Sequence, residues 1–210
     1  MAKPLNTKMR KIFIFILIMC AWLGASAQFR YAPIAGVTVN NLKFRQDLIS
    51  VWQQVGYTAG IQGELMFPGI GIGIDIGLLY NQQGAKVGLG EKEVWSSLGY
   101  GDQRVYVHNI MIPVHLRFKY TRLNGIERYI APLVFGGPDF DIQVAHGDSN
   151  PFKYSGGDLG LTVGGGAELF RRWQLAMSYT WGMTYVLKTR LLDDFTARSR
   201  QWTVRLAYFF

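Results

Sequence analysis

From Gly69 to Tyr80 the chain sets an apolar side chain at every second position. Ile70, Ile72, Ile74, Ile76, Leu78 and Tyr80 alternate with Gly69, Gly71, Gly73, Asp75, Gly77 and Leu79. A helix, at about 3.6 residues per turn, scatters such a pattern around its axis, whereas a strand sorts it onto two faces. The same period runs through Val55 to Phe67, Ile110 to Tyr120, Leu159 to Leu169, Trp173 to Tyr185 and Trp202 to Phe210. Two weaker segments, Tyr31 to Val39 and Arg128 to Phe135, complete eight expected strands.

Alternation of this kind also suits a soluble antiparallel sandwich with one wet face. Three features point elsewhere. The segments reach or exceed the roughly 9 to 11 residues that carry a tilted strand across a bilayer, while strands of soluble proteins average about 5 to 6. Their apolar faces end in aromatics (Phe67, Tyr80, Tyr120, Trp173, Tyr185, Trp202, Phe210), as interfacial girdles do. The connections also alternate in length. Phe67 to Gly69, Thr121 to Glu127 and Phe170 to Arg172 are tight; Asn40 to Gln54, Asn81 to Gln103, Pro138 to Tyr154 and Val186 to Arg200 are long. Composition agrees: 49% of residues are hydrophobic and only 17% charged, against about 25% charged in soluble domains. In hydrocarbon every backbone N–H and C=O needs a protein partner, so the sheet must close. The sequence therefore predicts an all-β fold, an eight-stranded antiparallel transmembrane β-barrel of up-and-down topology. Four long loops are external and both ends face the periplasm.

The first residues read as an export signal. Lys3, Lys8, Arg10 and Lys11 precede the apolar run Ile12 to Leu23, and Ala25-Ser26-Ala27 supplies small residues for cleavage. The expected division is a signal peptide over 1–27 and an outer-membrane barrel domain over 28–210. Cys20, the one cysteine, belongs to the leader, so no disulfide braces the mature chain. Without the four leader cations, 18 basic residues face 14 acidic ones and the net charge falls from +8 to +4. Those cations are scattered among acids, which argues against nucleic acid as a partner.

An eight-stranded barrel has an interior about filled by side chains. The polar faces direct Glu64, Asp75, Arg117, Lys119, Glu168 and Arg205 inward, where they are expected to form a packed ion-pair network, with inward glycines making room for them. Ile74 is expected to face mid-bilayer lipid. Catalysis finds little support among three histidines. His115 has inward parity beside Arg117, and His108 has Asn109 rather than a serine next to it. His146 stands near Asp148 and Ser149, but neighbours in sequence do not make a triad. The chain is therefore not expected to be an enzyme, and no catalytic, cofactor-binding or metal-binding residue is assigned. Asp139, Asp141, Asp148 and Asn150 carry oxygen ligands, but without the loop length of a dedicated calcium site they read as an acidic solvated loop. Lys188, Arg190, Arg198 and Arg200 offer charge-assisted bonds to lipopolysaccharide phosphates, partly offset by Asp193 and Asp194. Gly71-Ile72-Gly73 and Gly164-Gly165-Gly166 lack the helix and the Lys-Ser/Thr of a phosphate loop.

The opening Val37-Thr38-Val39-Asn40, the strand Ile112-Pro113-Val114-His115-Leu116, the run Gly164-Gly165-Gly166-Ala167-Glu168 and the end Leu206-Ala207-Tyr208-Phe209-Phe210 resemble the small outer-membrane barrels called the PorT family. That resemblance implies a bacterial outer-membrane location. It also implies assembly by the barrel-assembly machinery, whose clients end in an aromatic strand like that at Phe210, and it raises an accessory place in type IX protein secretion. The expected function is structural or surface-interacting, carried by the external loops, with outer-membrane lipid and lipopolysaccharide as surroundings and an envelope or secretion-complex protein as partner. A narrow porin-like solute channel is the alternative.

Overall fold

Long strands whose outward side chains are apolar have one way to satisfy both backbone and side chains in lipid, which is to curl until the first strand pairs with the last. The computed structural model describes residues 28–44, 50–67, 71–88, 97, 102–120, 125–147, 152–189 and 196–210; the expected signal peptide lies outside them. Its strands in chain order are β1 (Gln28–Phe44), β2 (Ser50–Met66), β3 (Ile72–Gly88), β4 (Asp102–Lys119), β5 (Ile130–His146), β6 (Phe152–Tyr154), β7 (Gly157–Leu169), β8 (Trp173–Gly182), β9 (Leu187–Thr189) and β10 (Thr196–Tyr208). Eight of them, all but the short β6 and β9, form the wall: each long strand pairs antiparallel with the next, and β1 closes on β10 from Ile34↔Ala207 to Phe44↔Ala197. β6 and β9 pair with each other as a small ribbon extending from β10.

The predicted faces hold in the wall. Ile61, Ile76, Leu116, Val134 and Val163 are all more than half exposed, an arrangement that suits lipid and would be untenable in water at this extent. Phe29, Tyr31, Tyr129, Phe170, Trp173 and Phe210 ring the end that carries both termini, and Tyr57, Trp181 and Trp202 ring the other. Trp202 and Phe210 are separated by eight strand positions, about 27 Å along the strand and near 20 Å upright once a tilt of about 40° is allowed for. That is close to the roughly 25 Å apolar band of such barrels. Ile74 faces outward as expected, and Ile76 lies nearer the middle of the band.

Two expectations about connections need correction. First, β5 does not end at Phe135 but continues through Gly136-Gly137-Pro138 to His146, so the segment expected as a loop from Pro138 is mostly strand. Gly-Gly-Pro reads as a turn, yet a Cβ on Gly137 would lie 2.3 Å from the Val114 carbonyl. The glycine is there for close packing against β4, and Pro138 follows in register with Leu161. Second, the other long connections shrink as well, because β1, β2, β3 and β4 run past the aromatic ring to Phe44, Ser50, Gly88 and Asp102. Arg198 and Arg200 likewise stand on β10 and not in a loop.

In that upper part the polarity of the wall inverts on β1, β3 and β4, while Ile142 and Val144 of β5 stay outward and exposed. Below the ring apolar residues point out; above it Leu42, Phe44, Ala85, Val87, Val105, Val107, Val186 and Ala197 point in and form a buried cluster with Val51 packed against it. Lys43, Lys86 and Arg104 stand on the opposite, outward face. The switch follows the solvent, since the outside of the wall is lipid below the ring and water above it.

Candidate functional site

The interior is the one place where this sequence concentrates charge. At the end near the termini, Glu64 on β2 is fully buried. It accepts hydrogen bonds from Arg30 on β1 at 2.6 Å, from Lys119 on β4 at 2.9 Å, and from Arg117. Glu168 on β7 accepts from Arg30 at 2.6 Å and from Lys119 at 2.7 Å. Arg117 also donates through Nε to Asp75 at 2.7 Å and through Nη1 to the Gln174 amide oxygen at 2.7 Å. Three cations meet three carboxylates, so the cluster is neutral. The partners come from five strands, β1, β2, β3, β4 and β7, and the network therefore ties together opposite sides of the wall. Phe209, itself buried, stacks on the Arg30 guanidinium at 4.6 Å and joins a buried apolar cluster with Ala32, Ile34, Leu79, Met111 and Ala207.

Midway up, His115 on β4 pairs through Nε2 with Asp139 at 2.8 Å. Asp139 also accepts from Thr162, whose hydroxyl lies 2.5 Å from that of Thr180. The Phe135 ring stacks on His115 at 5.4 Å and carries the Arg205 guanidinium at 5.3 Å. Gly164 makes this possible: a Cβ there would come within 2.5 Å of the Phe135 ring. Higher still, Asn81 and Gln201 exchange amide hydrogen bonds of 3.2 and 3.3 Å, and Gln83 donates to Asp141 at 3.4 Å. Above these amides sits the apolar cluster around Val87 and Val105. From bottom to top the lumen is thus a neutral ion network packed against Phe209, a hydrogen-bonded layer and an apolar plug. The ion network is internally neutralised, and an ion entering the apolar plug would have to shed its water.

Residues 25–188 match the family model described as outer membrane protein beta-barrel domain. The chain belongs to that family. Among solved structures this barrel is similar to the outer membrane protein OprG of Pseudomonas aeruginosa, with a TM-score of 0.51 and 11% identity over 88% of this chain and 97% of that one. It is also similar to Neisserial surface protein A, with a TM-score of 0.48 and 11% identity over 88% of this chain and 99% of that one. No curated protein matches its sequence. The protein is a bacterial outer-membrane β-barrel, and the OprG likeness supports its fold alone.

In this outer-membrane barrel Glu64, Asp75, Arg117, Lys119 and Glu168 come together as their parity predicts. Arg205 faces inward too but stands apart from that cluster, over Phe135. Arg30, which joins Glu64 to Glu168, lies outside the strand expected from Tyr31, because β1 begins three residues earlier, at Gln28. Asp139 and Asp141, expected in an acidic solvated loop, instead face the lumen from β5. The described residues contain no cluster of three or more His, Cys, Asp or Glu groups placed to hold a metal ion. Asp148, Ser149 and Asn150 lie outside the described residues, as do Arg190, Asp193 and Asp194. His146 ends β5, and His108 sits in the outer aromatic ring with Nδ1 2.5 Å from the Tyr80 hydroxyl.

Proposed function

We propose that this protein is a closed, non-conducting outer-membrane barrel whose role is structural and surface-interacting. It acts through the part of the wall that rises above the membrane and through the four connections on it. The observation that carries this reading is the filling of the lumen, by the neutral network packed against Phe209 at one end and by the apolar plug around Val87 at the other. With the interior closed, the surfaces available to a partner are the outer rim and the lipid-facing wall. A solute channel is the reading that this interior argues against. Kinship with the PorT-type barrels, assembly through the barrel-assembly machinery and cleavage of the leader after Ala27 rest on the sequence features described above. They accord with this role, but no side chain of the site points to type IX secretion in particular.

The test is single-channel recording in planar bilayers with the folded protein. The wild type should give a silent membrane at neutral pH and moderate salt. Stable, discrete conductance steps from the wild-type barrel would overturn the proposal and restore the channel.

A further inference from the structure

The outward faces of β8, β10 and β1 change chemistry in steps up the wall. Met177, Val204 and Val37 stand in register within the apolar band, and Tyr179, Trp202 and Val39 form the next outward row. Trp181, Arg200 and Asn41 follow, and then Arg198 with Lys43. Rows on one face are two residues apart, about 6.5 Å along the strand. The cations therefore begin beside Trp181, at the upper edge of the aromatic ring and at the depth where lipid phosphates lie.

Two features make this patch more than a wet surface. Lys43 is directly opposite Arg198 on the neighbouring strand, and like charges so placed destabilise a sheet unless an anion lies between them. Among the described residues, none of Lys43, Arg198 and Arg200 forms an ion pair with a carboxylate; Arg198 instead lies over the Tyr185 ring at 5.1 Å. The wall is also concave here. A groove of about 610 Å³ is lined by Lys43, Arg200, Trp181 and Trp202, and an adjoining hollow of about 460 Å³ adds Arg198 and Tyr185. That size admits a headgroup and not merely an ion. The arrangement has a counterpart elsewhere on the barrel, where Lys86 stands opposite Arg104 and lies over Trp52 at 5.1 Å.

We propose that the groove between β8, β10 and β1 binds the phosphorylated sugar headgroup of an outer-leaflet glycolipid of the lipid A class. Its phosphate is held between Lys43, Arg198 and Arg200, and its acyl chains descend over Trp202, Val39 and Val204. Arginine is suited to the phosphate because its planar fork of donors engages two oxygens at once. The glycolipid thereby relieves the repulsion between the opposed cations and gives the barrel a fixed lipid neighbour.

Native mass spectrometry of the folded, delipidated barrel in detergent tests this, with bisphosphorylated lipid A and its dephosphorylated form as the two probes. The wild type should bind the phosphorylated lipid at least tenfold more tightly. A triple variant, Lys43→Gln, Arg198→Gln and Arg200→Gln, should lose that preference. A charge-matched control at the opposite end, Arg128→Gln, Arg171→Gln and Arg172→Gln, should keep it. Equal binding of the two lipids by the wild type, or an unchanged preference in the triple variant, would overturn the proposal. The comparison of lipids needs no variant, so the outcome does not depend on the triple variant folding. Channel recordings decide the closed lumen separately, since a conducting barrel can carry this groove and a silent one can lack it.

Discussion

Replacing Glu64 by glutamine removes one charge from the lumen while keeping the shape of the side chain. Glu64 is fully buried and faces Arg30, Arg117 and Lys119. Each such contact is worth about 4 kcal/mol of Coulomb energy at 4 Å with an effective dielectric constant near 20, and desolvation of the four groups offsets much of that total. What remains after the substitution is a cluster of three cations and two carboxylates, with a net charge of +1 in a volume that water barely reaches. Breaking a buried pair on one side costs about 3 to 5 kcal/mol, and Glu64→Gln should lie in that range. The assay is urea unfolding of the barrel in lipid vesicles, followed by tryptophan fluorescence and by gel mobility with and without boiling. A second substitution, Lys119→Met, restores neutrality, with Arg30 and Arg117 facing Asp75 and Glu168. The double variant should therefore be more stable than the sum of the two single losses predicts, by at least about 1.5 kcal/mol of coupling, well outside the few tenths expected of independent sites. A loss below about 1 kcal/mol for Glu64→Gln, or strict additivity in the cycle, would mean that the lumen is wet and screened and that the network is not what closes it.

Ile76→Lys at the middle of the apolar band should destabilise the barrel in vesicles by about 2 to 4 kcal/mol, and Val55→Lys beside the outer ring by no more than about 1 kcal/mol; equal losses in vesicle refolding would show that the bilayer has been placed at the wrong height. Arg171→Gly should stabilise by about 1 kcal/mol, because Arg171 follows Phe170 in the turn after β7 with both at positive φ, 61° and 52°, where a side chain costs about 1 to 2 kcal/mol that glycine avoids. The hydrogen bond from Arg30 uses only the Arg171 carbonyl, 3.0 Å away, and survives the change; an unfolding midpoint that stayed put or fell would count against this account of the turn.

Within the membrane band the strands were legible because lipid on one side and a polar lumen on the other make alternation strict. Ile72 to Tyr80 and Trp202 to Phe210 fall on the faces that their parity assigns, and so do all six charges expected to point inward, five of which meet in the ion network. Legibility failed where a local signal opposed a tertiary demand. Gly136-Gly137-Pro138 carries the residues of a turn, but the wall uses Gly137 to bring β5 against the Val114 carbonyl, and this extension is what turns Asp139 from a loop acid into the partner of His115. Above the aromatic ring the apolar parity passes from even to odd positions, as from Leu78 and Tyr80 to Ala85 and Val87 on β3. A search for one unbroken alternation ends the strand there and counts the remainder as loop. The cross-strand meeting of Lys43 with Arg198 lies beyond any single-sequence reading, because it depends on the register of the first strand against the last.

The reversal of polarity up the wall also fixes how deep the barrel can ride. A displacement by one pair of residues toward the cell draws Lys43, Lys86 and Arg104 down toward hydrocarbon, while the opposite displacement lifts Tyr57 and Trp202 out of the headgroups and bares aliphatic wall to water. Either move is opposed on several strands at once, so the protein keeps its own waterline. In a bilayer of different thickness it is the neighbouring lipids that must stretch or compress to meet it.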